Sequence, residues 1–417
     1  MLPSSASAPY LLALACALHG CAIARQVGSD CGDEALCDEA ARVAALTPNG
    51  GISSGSMMPP SSPKRDGFVR KLDLLFVVND SLATQAQHMA LALAIPDFID
   101  ALASGDFDNG GEPSFRGVQD LHLGVISGRM DFGLAASGCN ESFGSEGELT
   151  TVGCLAPEAR FASAQSSSTV PGAASALGCM VNLGAAGCFP SQPFESALKA
   201  LWPSDPAAAR DSTMVFADGS RSSPPANMGF VRPDSLVVVI VVSDVDDCSA
   251  IDPVARAELA ALDPAGLLHR CSVRPELRAS VSRYEQGLRS LRPGADDLVM
   301  FFALAGVPTD SVSATALEQT SFDRDDEREA FYDRLLALPA MQPDLLDDRG
   351  TTFSGDDVPR TLCTTAGGKV YPARRLVELT RTFGANGLVQ SLCASDLGPA
   401  LREILRSIGR RLGPPAL

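Results

Sequence analysis

The chain is poor in the groups on which most enzymes and nucleic-acid binders rely. It holds four lysines and four histidines in 417 residues, and its formal net charge is −17. That balance argues against nucleic acid as a partner, because phosphates are held by Lys and Arg. It also disfavours adsorption to an anionic membrane surface. No run of 18 uninterrupted apolar residues occurs, so no segment reads as a transmembrane helix. H-E-x-x-H, C-x-x-C and a glycine-rich phosphate loop are all missing. With only His88, His122 and His269 beyond the first 21 residues, zinc has no ligand spacing to use. No internal repeat is evident.

What is present is an ample apolar fraction, 45%, and twelve cysteines. So many cysteines fit an oxidising compartment. The chain is organised around Leu72–Ala83, LDLLFVVNDSLA. A short, continuously apolar run ends abruptly in Asn79, Asp80 and Ser81, and an amphipathic pattern follows at once. This reads as a buried central strand feeding a polar loop and a helix, the way an α/β sheet presents a functional edge.

Further strands are expected at Leu121–Ile126, Ser235–Val242, Asp297–Ala305 and Leu388–Leu392. Ser235–Val242 is the strongest, being β-branched and uninterrupted. The first helix is expected from about Leu82, with Leu82, Ala86, Met89 and Leu93 on its apolar face and Pro96 interrupting it. His88 on that helix reads as solvated, and His122 as packed within its strand. Other helices are expected at Pro193–Trp202, Ser280–Leu291, Glu327–Leu338, Tyr371–Phe383 and Leu397–Leu412. The alternation predicts one doubly wound, mostly parallel, Rossmann-like sheet over residues 69–413, with cysteine-bearing insertions at about 127–192 and 307–370.

Residues 1–21 read as an export signal whose apolar segment is too short to span a bilayer. Leu18-His19-Gly20-Cys21 resembles the lipobox of bacterial lipoproteins, which implies lipidation of Cys21 and a membrane anchor through acyl chains. An ordinary cleaved signal ending near Ala24 is the alternative. Residues 22–68 read as a flexible tether rich in Gly, Ser and Pro. Gly51-Ile52-Ser53-Ser54-Gly55 matches a nucleophile-elbow pattern but lies in this tether, without the strand and helix that motif needs. Asp106 and Asp108 read as a polar turn, since no Glu completes a calcium loop.

Setting aside Cys16 and Cys21, ten cysteines remain. Pairing neighbours in sequence predicts five local disulfides: Cys31–Cys37, Cys139–Cys154, Cys179–Cys188, Cys248–Cys271 and Cys363–Cys393. Other pairings stay open.

Asn79-Asp80-Ser81 and Asp244-Val245-Asp246-Asp247 follow the two strongest strands and should meet at the carboxyl edge of the sheet. Carboxylates and hydroxyls there suit Mg²⁺ or Ca²⁺, or simply cap helices. At these residues, and at GCFPSQPFESALKAL and YPARRLVELTRTFGANGLVQSLC, the chain resembles a von Willebrand factor type A (VWA) domain, of the exported, lipid-anchored kind found in myxobacteria. The resemblance covers about Leu72–Leu412. It implies a metal-ion-dependent adhesion site in which Ser81 and Asp244 match ligands. Asn79 stands where the leading Asp belongs, with Asp80 beside it. Ala83 replaces the last Ser, and the Thr position falls near Ser191 or Gln192. Asp80 or Asp246 could substitute. The site is therefore a degenerate one, with Mg²⁺ or Ca²⁺ held weakly if at all.

The function this implies is binding or adhesion: an exported module at the cell envelope, on the outer membrane or cell surface, recognising a protein or surface ligand. A structural envelope lipoprotein is the alternative, and a metal-assisted hydrolase at Asp80 and Asp244 a third reading.

Overall fold

The computed structural model describes residues 69–415 apart from 82–83, 108–109, 131–144, 157, 185–189, 210, 262–263 and 343–359, and leaves the side chains of 260, 264–267 and 269 undescribed. Cys21, Cys31, Cys37, Cys139, Cys188, Ala83, the tether and the Gly51–Gly55 pattern lie outside the described residues.

Six strands form the main sheet, in the order β3-β2-β1-β4-β5-β8. They are β1 (Lys71–Val78), β2 (Asp120–Ser127), β3 (Ala162–Ala164), β4 (Leu236–Val242), β5 (Val299–Ala305) and β8 (Gly387–Ser391). Every pairing is parallel except that of β3 with β2. A separate two-stranded ribbon joins β6 (Cys363–Thr364) to β7 (Lys369–Val370). The fold is thus mixed α/β with a mostly parallel, Rossmann-like centre.

Continuous apolar runs dictate this. Every residue of β4 and β5 is buried, as is every residue of β1 after Lys71. A strand buried on both faces needs helices on both sides. The longer helices accordingly form two packed groups. One contains α1 (Gln85–Ser104), α2 (Val170–Met180) and α10 (Gly398–Leu412). The other contains α3 (Pro193–Leu201), α6 (Val281–Ser290), α8 (Asp325–Ala337) and α9 (Arg374–Thr382). Shorter helices are α4 (Pro253–Ala260), α5 (Pro264–Val273) and α7 (Ala314–Glu318). Among the described residues no helix is long and apolar enough to cross a membrane.

The chain runs from β1 outward to β2 and β3, then returns to place β4 on the other side of β1. The direction of winding reverses there, so the switch point lies between the carboxyl ends of β1 and β4. The register aligns Val78 with Val242. Asn79 and Ser243 therefore leave the sheet side by side, and Asn79 N–H donates to the Val242 carbonyl at 2.8 Å.

Three features differ from the sequence expectation. The first is the face of α1. Met89 and Leu93 are 58% and 80% exposed, while Leu91 and Ile95 are buried; Phe98, Ile99 and Leu102, beyond Pro96, are buried as their pattern in the sequence predicts. The helix also runs unbroken through Pro96. Proline leaves the Ala92 carbonyl without its helical donor. Gly178 of α2 packs against that carbonyl, so close that a Cβ there would sit 3.0 Å from it. The second is the insertion 127–192, which is not all loop: it supplies β3 and α2.

The third is the disulfide pattern. Cys154 is bonded to Cys179, not to Cys139, and Cys179 is not bonded to Cys188. Cys248–Cys271 and Cys363–Cys393 form as neighbour order expects. Neighbour pairing minimises loop-closure entropy, but doubling a loop costs only about 0.6 kcal/mol. The Cys154–Cys179 separation is 25 residues. Pairing of β3 with β2, and packing of α2 on β3, easily outweigh that difference.

At the amino edge, Asp73 is fully buried and accepts from Arg232 N–H (2.7 Å), Arg232 Nε (2.8 Å) and the Ser235 hydroxyl. Arg292 donates to the Arg232 carbonyl at 2.6 Å and the Ser235 carbonyl at 2.9 Å. This network ties the starts of β1 and β4 to the loop before β4.

Candidate functional site

The switch-point crevice holds Asn79, Ser81 and Asp244, and they meet. The Asn79 amide donates to Asp244 Oδ1, and the Ser81 hydroxyl donates to Asp244 Oδ2 at 3.3 Å. All three side chains are buried. The loop between β1 and α1 is held from below. Thr84 Oγ1 lies 2.7 Å from the carbonyls of both Asn79 and Ser81. His88 Nε2 donates to the Asn79 carbonyl at 2.8 Å. His88 is fully buried rather than solvated, and burial lowers its pKa below the usual imidazole value. The solvated reading fails because α1 turns a different face inward.

Asp244 carries an electrostatic cost in the crevice. Burial pushes its pKa up to about 6, against the opposing pull of the hydrogen bonds from Asn79 and Ser81. Its backbone carbonyl accepts from Tyr371 N–H at 2.8 Å. That approach requires Gly306, where a Cβ would lie 1.8 Å from the Tyr371 carbonyl oxygen.

The other expected ligands are placed differently. Gln192 has committed both ends of its amide: Nε2 donates to the Met130 carbonyl at 2.8 Å, and Oε1 accepts from Ala250 N–H at 3.2 Å. Asp246 accepts from the backbone N–H of Arg375 (3.0 Å) and Leu376 (3.2 Å). It caps the start of α9, as Asp commonly does at a helix N-terminus. Its pKa is also pushed up to about 6, mainly by burial. Asp247, part of the acidic run expected at this edge, caps α3 through Phe194 N–H (3.1 Å) and forms a buried ion pair with Arg375 at 3.0 Å. Ser191 and Asp80 are buried, and Ser191 Oγ and Asp80 Oδ2 make no hydrogen bond.

These residues do not fit a resident Mg²⁺ or Ca²⁺. Such ions take six or more oxygens, Ca²⁺ from carboxylates, carbonyls and waters and Mg²⁺ from one or two carboxylates with waters completing the shell. Here Gln192 and Asp246 are spent on backbone groups. Asn79 turns its N–H toward Asp244, placing a positive dipole where a cation would place its charge. Among the described residues no three His, Cys, Asp or Glu side chains gather as a metal shell. What the crevice contains is a hydrogen-bonded clasp between two loops, with the Asp244 carboxylate at its centre.

The missed residues had a faint signal. Arg374-Arg375 opens a helix, where the macrodipole disfavours cations. A basic doublet at that position needs acidic partners, and the acidic run after β4 is the obvious source.

Fold and crevice together define a disulfide-pinned α/β protein with a polar crevice at its switch point. Comparison with protein-family models and with curated proteins finds no match to the chain.

Proposed function

We propose that the chain is an exported, lipid-anchored VWA-like binding module that recognises a protein or cell-surface ligand at the carboxyl edge of its sheet. The supporting observation is the clasp: Asn79 and Ser81 converge on Asp244 across the switch point, where open α/β sheets receive ligands. The geometry favours recognition without a resident cation, through loops held in place by Thr84, His88 and Tyr371. The acidic surface and the tether of residues 22–68 suit a domain displayed away from a membrane.

The test is retention of the purified chain, residues 22–417, on envelope preparations from the cells that make it. Ser81→Ala and Asp244→Asn should each reduce retention several-fold in the presence of EDTA. Equal retention of both variants and the unaltered chain would remove the clasp from recognition and leave the structural-lipoprotein reading standing. Radiolabelled palmitate incorporation, lost in Cys21→Ser, tests the anchor separately.

A further inference from the structure

Beside the clasp lies a cavity of about 60 Å³, lined by the loop after β4, α5 and the start of α9. Its lining does not include Asn79, Ser81 or Asp244. Four arginines line it: Arg278, Arg360, Arg374 and Arg375. In a chain of net charge −17 this is an unexpected concentration of guanidinium groups.

Arg375 is neutralised by Asp247, with Nε at 3.1 Å and Nη2 at 3.0 Å. Arg374 Nη1 donates to the carbonyls of Leu336 (2.8 Å) and Met341 (3.2 Å). Those acceptors are neutral, so they orient the group without cancelling its charge. Arg278 is the least satisfied. Its Nε is buried without a hydrogen bond, and among the described residues no carboxylate pairs with it at ion-pair distance. Ser191, also on the lining, presents a buried hydroxyl with no partner.

Two acidic groups face the same space, Asp246 and Glu378. Asp246 is already held by the backbone N–H groups of α9. Burial pushes its carboxyl up to about 6 and pulls Arg278 below the ordinary guanidinium range. Both shifts mean that the pocket is short of solvating partners. Arg278, Arg374 and Arg375 face Asp246, Glu378 and the Asp247 behind Arg375, and among these three guanidinium groups it is Arg278 that has a nitrogen buried without a hydrogen bond. The volume accommodates about four waters. That suits one small oxyanionic group and excludes a whole sugar or nucleotide.

We infer that this cavity is an oxyanion-binding site, in which Arg278 and Arg374, with the Ser191 hydroxyl, receive a phosphoryl or carboxylate group. Guanidinium groups match both geometries and hold them with charge-assisted hydrogen bonds. The site stands whether or not the clasp recognises a surface ligand.

The test is titration calorimetry on the chain of residues 22–417 with inorganic phosphate and, separately, with acetate, at low ionic strength. Saturable binding of phosphate, acetate or both is expected, and the stronger of the two identifies the source of the group. Arg278→Met should weaken it at least tenfold, Arg278→Lys less, and Ser191→Ala several-fold. Asp244→Asn should leave it unchanged, which separates this site from the clasp. Absence of saturable heat with both anions would overturn the inference, as would equal affinity in Arg278→Met. If Arg278→Met failed to fold, Ser191→Ala and Arg278→Lys would decide: unaltered affinity in both overturns it.

Discussion

Asp244→Asn is the sharpest probe of the clasp, because the two accounts of this crevice predict opposite signs. In the structure the Asp244 carboxylate is buried, and its pKa stands at about 6 rather than the ordinary 3.8. The folded form therefore holds a proton that the unfolded chain releases. Where both states are protonated, below about pH 3.8, the group has no effect on stability. As pH rises through 3.8 toward 6, the unfolded chain ionises first and gains, so the folded state loses stability. Above about pH 6 the loss is complete. A shift of this size corresponds to about 3 kcal/mol.

Asparagine has the same shape and no charge. Its carbonyl can accept from Asn79, and its amide can donate to Ser81 Oγ. The variant should therefore be more stable than the unaltered chain at neutral pH, by up to about 3 kcal/mol, less whatever the charge-assisted hydrogen bonds contribute. The difference should vanish near pH 4. Urea unfolding followed by the fluorescence of the single, buried Trp202 measures both, in EDTA, across about pH 4 to 8. Excess Mg²⁺ or Ca²⁺ should not move either curve. A variant less stable than the parent at neutral pH, or a parent stabilised by cation, would refute the clasp and restore the metal site.

Other perturbations test the framework. Arg283 pairs with the fully buried Glu195 at 3.2 Å, and Arg283→Met strands that carboxylate. A loss of about 3–5 kcal/mol in urea unfolding is expected, most of it recovered in the double variant with Glu195→Gln. Gly306→Ala drives a Cβ into the Tyr371 carbonyl and should cost about 3 kcal/mol or more. A thermal midpoint within a degree of the parent would show that the backbone yields there. The inward face of α1 is tested by comparing one exposed position with one buried position. Leu93→Lys should change stability by less than about 0.5 kcal/mol, and Ile95→Ala should cost about 2–5 kcal/mol.

β1, β2, β4, β5, β8 and most of the α3-to-α10 helices were legible in the sequence because they are apolar or periodic and locally consistent. Val-rich β4 can only be a central strand, and Leu401, Ile404, Leu405 and Ile408 can only face inward. Both β1 and β4 end in polar clusters, and a doubly wound sheet gathers such clusters at its carboxyl edge, so the meeting of Asn79 and Ser81 with Asp244 was legible too. Three kinds of information were not local. The face of α1 depended on α2, an element hidden in the insertion whose glycine receives the carbonyl exposed by Pro96. The bond between Cys154 and Cys179 depended on β3 returning to β2, because loop entropy discriminates too weakly between partners.

The chemistry of the acidic run after β4 was undetermined for the same reason. Asp244, Asp246 and Asp247 are near neighbours of the same type, yet one enters the clasp, one caps α9 and one caps α3 and holds Arg375. A carboxylate takes its role from the donors around it. Residues 79, 193–194 and 374–376 come from distant parts of the chain, and only the packed fold sets them beside residues 244–247. The sequence alone thus determined where the polar loops would gather. Which of their atoms would be spent on backbone N–H groups, and which pocket the arginines would line, was decided by tertiary contacts.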